Sequence, residues 1–181
     1  MKTATLTTTK WSIDKVHSKI QFMVKHLMIT TVNGSFKEYE SSVETENDDL
    51  TTAKINFSAD ANSVDTGSEH RDTHLKSDDF FAAEKFPKLS FVSTKMTKKD
   101  DEHYILEGNL TIREITKPIT LNVEFGGIAK DPWGGTRAGF NVTGKVNRKD
   151  FGLNWNALTE AGGMLVSEEV RINCSVQFVR A

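Results

Sequence analysis

His70 and His74, two of the five histidines of the chain, stand four residues apart in "EHRDTHL". On a helix this spacing places both imidazoles on one face, and zinc accepts such a pair. A zinc site needs a third ligand. No cysteine pair and no H-E-x-x-H motif flanks the segment to supply one, so it would have to come from a remote residue such as His17. A mixed-charge face, with the histidines bonded to carbonyls and to Asp72, accounts for the same residues more simply. Nucleophilic chemistry has less support. There is no G-x-S-x-G elbow, and the single cysteine, Cys174, sits mid-strand on an apolar face, where a thiol packs rather than reacts. Asp78 with Asp79 and Glu168 with Glu169 are sequence neighbours, so neither pair converges on one substrate. Phosphate-loop and dinucleotide fingerprints are absent. No catalytic residue, metal or cofactor is therefore expected, and a metalloprotein using His70 and His74 stands as the rival reading.

The more informative donors are His26 and Arg148. In "SKIQFMVKH" the apolar residues Ile20, Phe22 and Val24 alternate with polar ones, and His26 takes the fourth place on the apolar side. In "AGFNVTGKVNR" the inward series Phe140, Val142, Gly144 and Val146 ends on Arg148. Each residue alone is most simply structural, His26 as a bonded core histidine and Arg148 as a side chain reaching the rim. Together they suggest an apolar pocket with donors at its mouth, suited to a ligand with a long apolar body and a polar head.

The elements that carry these residues are strands. Strict alternation recurs through residues 31–44, 53–58, 88–97, 103–112, 119–125, 137–147 and 170–178. Short turns join them, giving about eight strands in an all-β, antiparallel arrangement. One-sided alternation in every strand fits an extended eight-stranded barrel closed on itself, apolar inside. Two stretches break the pattern. Residues 65–87 read as a short helical insertion, with a capping box at Thr66 and Glu69 and a second cap at Ser77. Its phenylalanines, Phe80, Phe81 and Phe86, suit a cover over one barrel end. Residues 151–166 form an irregular loop whose Trp155, Leu158 and Met164 are expected to fold back onto apolar surface.

A chain of 181 residues with a net charge of −2 fits a single domain, 1–181, without the basic field that recruits nucleic acid. No segment approaches the length of an apolar membrane span. The lone cysteine and an N-terminus lacking an apolar leader core point to the cytoplasm.

The blocks "WSIDKVHSKIQFMVKHL", "VNGSF", "SVDTGSEHRDTHLKSDDFF", "FPKLSFVST", "GNLTIREITKPITL", "VNRKDFGLNW" and "EEVRI" run in order along almost the whole chain. Together they resemble the YceI-like family of polyisoprenoid-binding proteins. The resemblance implies a lipocalin-like barrel, an elongated cavity for a polyisoprenoid or similar amphiphile, and no established catalysis. Many members carry a secretory leader; none is expected here, since the N-terminal residues show no apolar leader core. The expected function is binding of such a lipid as carrier or reservoir, with a homodimer as the other candidate association. From the alternation, Ile20, Phe22, Val24, Phe57, Leu121, Val123, Phe140, Val142, Ile172 and Val176 are expected to line the tunnel. His26, Arg71, His74 and Arg148 are the candidates for the polar head.

Overall fold

The computed structural model describes residues 5–157, 163 and 165–181. The first third of the chain makes three long, kinked staves. β1 (Thr8–Ile13) and β2 (Lys19–His26) form one, β3 (Thr30–Phe36) and β4 (Tyr39–Glu46) the next, and β5 (Asp49–Asp60) with β6 (Val64–Asp65) the third. The helix α1 (Glu69–Lys76) follows, and then β7 (Lys88–Lys98), β8 (His103–Ile112), β9 (Ile115–Lys130), β10 (Thr136–Asn147) and β11 (Glu169–Arg180). Each neighbour pairs antiparallel. The sheet closes because β11 pairs β2 over Arg171–Ser175 and β1 over Phe178–Arg180. With the kinked pairs counted as single staves, this is the eight-stranded closed antiparallel barrel expected from the sequence.

Aspartates make two of the kinks. The Asp14 carboxylate accepts the Val16 N–H at 3.0 Å, turning residues Lys15–His17 into a single 3₁₀ turn before the chain resumes as β2. Asp60 does the same for Ala61–Ser63, accepting from Asn62 N–H at 2.9 Å. Asp14 also meets His17 Nδ1 at 2.7 Å and the Arg137 guanidinium of β10, so the kink is tied across β11 to the next strand but one.

The helical insertion is present, but its caps differ from those expected. Ser68, not Thr66, is the N-cap, because Gly67 (φ +82°) turns the chain and brings Ser68 Oγ to the Arg71 N–H at 3.3 Å. Thr66 Oγ1 instead donates to Asp72 at 2.6 Å. Ser77 ends α1 rather than starting a second helix, its hydroxyl donating to the His74 carbonyl. The chain then runs in tight turns to Pro87. Phe80, Phe81 and Ala83 from these turns pack with Phe36, Tyr39, Leu89, Phe151 and Leu153, closing that end of the barrel with a small core of its own. Phe86 remains half-buried beside Arg113. A second cluster, centred on Trp11, Phe91, Tyr104, Leu106 and Phe178, fills the other end.

Candidate functional site

Between the two clusters lies a cavity of about 270 Å³. Its wall is almost wholly aliphatic and aromatic; Gln21, Ser41, Cys174 and Arg148 are its polar exceptions. Ile20, Phe22 and Val24 of β2, Phe57 of β5 and Leu121 and Val123 of β9 all line it. So do Phe140 and Val142 of β10 and Ile172 and Val176 of β11, which is every apolar residue expected from the alternation. Their register explains the agreement: Val142 stands opposite Val123 on one side and Cys174 on the other, so a single inward layer crosses three strands.

Three inward glycines shape the space, Gly108 beneath the Phe91 ring being one. The Phe22 ring lies where a Gly34 side chain would start, 2.2 Å from the position of its Cβ, and a Leu121 methyl lies 2.4 Å from that of Gly144. These side chains lie flat over the bare backbone of the neighbouring strand instead of projecting across the lumen. The insertion adds Leu75, Phe80 and Phe81 to one end of the wall. Alternation misses these because they sit in helix and turns. It also misses Met96, because a register shift between Ser93 and Lys95 moves the inward face of β7 from odd to even positions.

The four donors expected at a polar head do not converge. Arg148 does border the cavity and is only 5% exposed. Its guanidinium, however, is taken up by backbone carbonyls. Nε donates to Ser167 at 2.9 Å, Nη1 to Leu153 at 2.6 Å and to Trp155 at 2.7 Å, and Nη2 to Val166 at 3.3 Å. It is the peg on which the 151–167 loop hangs. Burial holds the guanidinium below its ordinary pKa, the Glu168 carboxylate working against that shift.

His26 ends β2 at the rim and is exposed. Beyond Met23 the β11 partner has run out, and the returning loop replaces it: Lys25 and Leu27 bond to Ser167 and Leu165, and His26 bridges Val166. The imidazole therefore leaves the apolar stripe at the point where the barrel wall ends. Arg71 turns back on its own segment, donating to Thr66 Oγ1 at 2.7 Å and to the Thr66 carbonyl at 2.6 Å. His74 bonds Asp79 at 2.8 Å and sits edge-on to Trp155, its ring centroid 4.6 Å away. Neither borders the cavity. Trp155 thus folds back onto the insertion, as expected; Leu158 and Met164 lie outside the described residues.

Among the described residues no three His, Cys, Asp or Glu side chains converge as a metal site. His17 belongs to the Asp14 kink. Cys174 lines the cavity at mid-strand, where burial pushes its thiol up to about 11.

The YceI-like domain model matches residues 11–178. This chain belongs to the YceI-like family. A UPF0312 protein of Staphylococcus epidermidis is 40% identical over 171 residues, covering 94% of this chain and 97% of the relative. A Staphylococcus aureus homologue of the same designation is 39% identical over the same length. Among solved structures, the YceI protein of Campylobacter jejuni superimposes with a TM-score of 0.73 at 34% identity, covering 84% of this chain and 87% of that one. BcnA of Burkholderia cenocepacia shares the fold, with a TM-score of 0.78 at 21% identity over 91% of this chain and 98% of its own. A polyisoprenoid-binding domain from Saccharophagus degradans shares it too, with a TM-score of 0.65 at 14% identity, covering 93% and 97%. The YceI-like barrel is thus common to distant sequences, and this chain carries it.

Proposed function

We propose that this YceI-like barrel binds a long-chain polyisoprenoid or related amphiphile in its tunnel, as a carrier or reservoir and without catalysis. The observation that carries this reading is the apolar cavity walled by the inward faces of the barrel strands. Such a wall offers an isoprenoid tail burial at about 25 cal/mol per Å² and offers a polar substrate few partners. The polyisoprenoid-binding domain with the same fold adds support from outside the chain. Because Arg71, His74 and His26 stand away from the cavity and the Arg148 donors are largely taken up, the head group is best placed at or beyond the rim. The proposal includes a cytoplasmic site of action and leaves a homodimer as a feature to be measured by sedimentation.

The test is native mass spectrometry of the full chain purified from its own host, followed by titration of the delipidated protein with a fluorescent isoprenoid analogue. A retained lipid mass and saturable binding are expected. Analogue at about one hundred times its Kd should stabilise the fold by about 2.7 kcal/mol. Saturation without any thermal shift would mean that the probe sticks to the surface, and the tunnel reading would fail.

A further inference from the structure

Two staves of the barrel wall part at their kinks. β1 pairs β4 as far as Ser12 with Ser42, and β2 pairs β3 from Ile20 with Phe36 onward. Between those ends residues 13–19 face residues 37–41, and among the described residues no backbone hydrogen bond crosses from one to the other. Each kink is stitched to its other neighbour instead. On the β11 side the Asp14 N–H donates to the Gln177 carbonyl at 2.7 Å, and Ser18 Oγ accepts the Gln177 N–H at 3.0 Å. On the far side the Lys37 N–H donates to the Ser63 carbonyl at 3.1 Å, and the Asp60 N–H to that of Glu38 at 2.9 Å. A lateral seam is left between the two staves, at most roughly 20 Å long on its shorter side.

Side chains close this seam. Tyr39 Oη donates to the Ser18 carbonyl at 3.0 Å, with the Lys15 carbonyl 3.5 Å away, and Lys15 Nζ meets Glu40 at 2.5 Å. The ion pair is exposed, so water screens it. The Lys15–His17 turn holds no buried residue, and Val16 at its centre is 87% exposed. Behind the seam Ile13, Ile20, Phe36 and Ser41, drawn from both flanks, line the cavity. Tyr39 does not; its ring stacks on Phe57 at the edge of the gap. Among the described residues the other ways in are held more firmly. Lifting the 151–167 loop breaks the Arg148 fork and the bonds from Lys25 and Leu27. Lifting the insertion exposes the buried Phe80 and Phe81. Opening the seam breaks the Tyr39 hydrogen bond and one exposed ion pair.

We infer that the amphiphile enters and leaves the barrel sideways, through this seam. The Lys15–His17 turn is the flap, its Asp14 and Ser18 ends are hinged on Gln177 of β11, and the Tyr39 hydroxyl is the latch. A tail then slips in along its length instead of threading past the two filled ends of the barrel. The inference rests on the proposed tunnel function and adds to it the route by which the tunnel is loaded.

The test is stopped-flow loading and release of a dansyl-labelled farnesol, with its Kd measured at equilibrium on the same full-chain preparations. Tyr39→Phe keeps the ring and removes the latch, so loading and release should both quicken by about fivefold while Kd stays unchanged. In the double variant Lys15→Cys, Glu40→Cys a bismaleimide with a reducible spacer ties the flap to the opposite flank; Cys174, held protonated by burial, reacts slowly. Bridging should slow both rates at least about tenfold at unchanged Kd, and reduction of the spacer should restore them. Rates untouched by the bridge overturn the inference, because the ligand then passes elsewhere along the rim. Rates untouched by Tyr39→Phe overturn the latch. A Kd that moves in step with the release rate alone also overturns the inference, since the seam would then belong to the bound state and not to the route. Failure of wild type to bind the probe saturably is a separate result: it overturns the tunnel function, and the seam falls with it.

Discussion

Arg148, His26 and Cys174 occupy similar places in the sequence pattern, each on an apolar stripe, and have three different physical fates. Arg148 forms no ion pair among the described residues; it gathers four carbonyls that the 151–167 loop leaves without strand partners. Arg148→Met should therefore cost more than about 3 kcal/mol in urea unfolding, since several buried carbonyls lose their donors at once. Arg148→Lys should recover little of that, because one ammonium does not span the same fork. His26→Leu, at an exposed strand end, should change stability by no more than about 0.5 kcal/mol and leave analogue affinity as it was. Cys174 is held protonated by burial, with its pKa pushed to about 11. At pH 8 its labelling by a soluble thiol reagent should be on the order of a hundredfold slower in the folded than in the urea-unfolded chain. The stability this thiol contributes is full below the unfolded thiol value and is lost as pH rises through about 11. Equal labelling of folded and unfolded protein would place the thiol outside the cavity wall.

At the scale of elements, inward glycines set the width of the lumen. Gly34→Ala should push the Phe22 ring off the β3 backbone and towards the cavity, costing about 1–3 kcal/mol and lowering analogue capacity together. A stability loss with unchanged capacity would mean that the ring finds room elsewhere. The strand faces were legible from period-2 alternation because a closed barrel has one interior, and β2, β10, β11 and β9 as far as Phe125 each present it without interruption. What escaped was whatever depends on a partner's length. The end of β11 pairing, which strands His26 at the rim, is invisible in the β2 sequence. So is the β7 register shift that brings Met96 inward. The capping box at Thr66 and Glu69 matched a spacing, but Gly67, with its positive φ, moved the cap to Ser68. Arg71 and His74 qualify as head-group donors only by the nearness of the insertion to the tunnel. The insertion does close that end, but with Leu75, Phe80 and Phe81, while its polar face bonds to itself.

For the whole molecule the decisive question is whether the barrel interior is a space held open or merely a packed core. The two states answer a single substitution with opposite signs. Val142 lies mid-barrel, between Val123 and Cys174, and faces the cavity. In a packed interior, Val142→Trp forces neighbouring side chains off their rotamers and costs about 1–3 kcal/mol. In an open apolar lumen the indole fills empty space and regains dispersion contacts that the cavity wall lacks, so stability should hold or rise. It also occupies the volume the isoprenoid tail needs, so analogue binding should be lost. Calorimetric melting and fluorescence titration of the same preparation measure both. Retained melting temperature with lost binding identifies the cavity as the ligand site. A lowered melting temperature with binding intact would instead put the ligand outside the barrel, leaving the interior as scaffold for its surface.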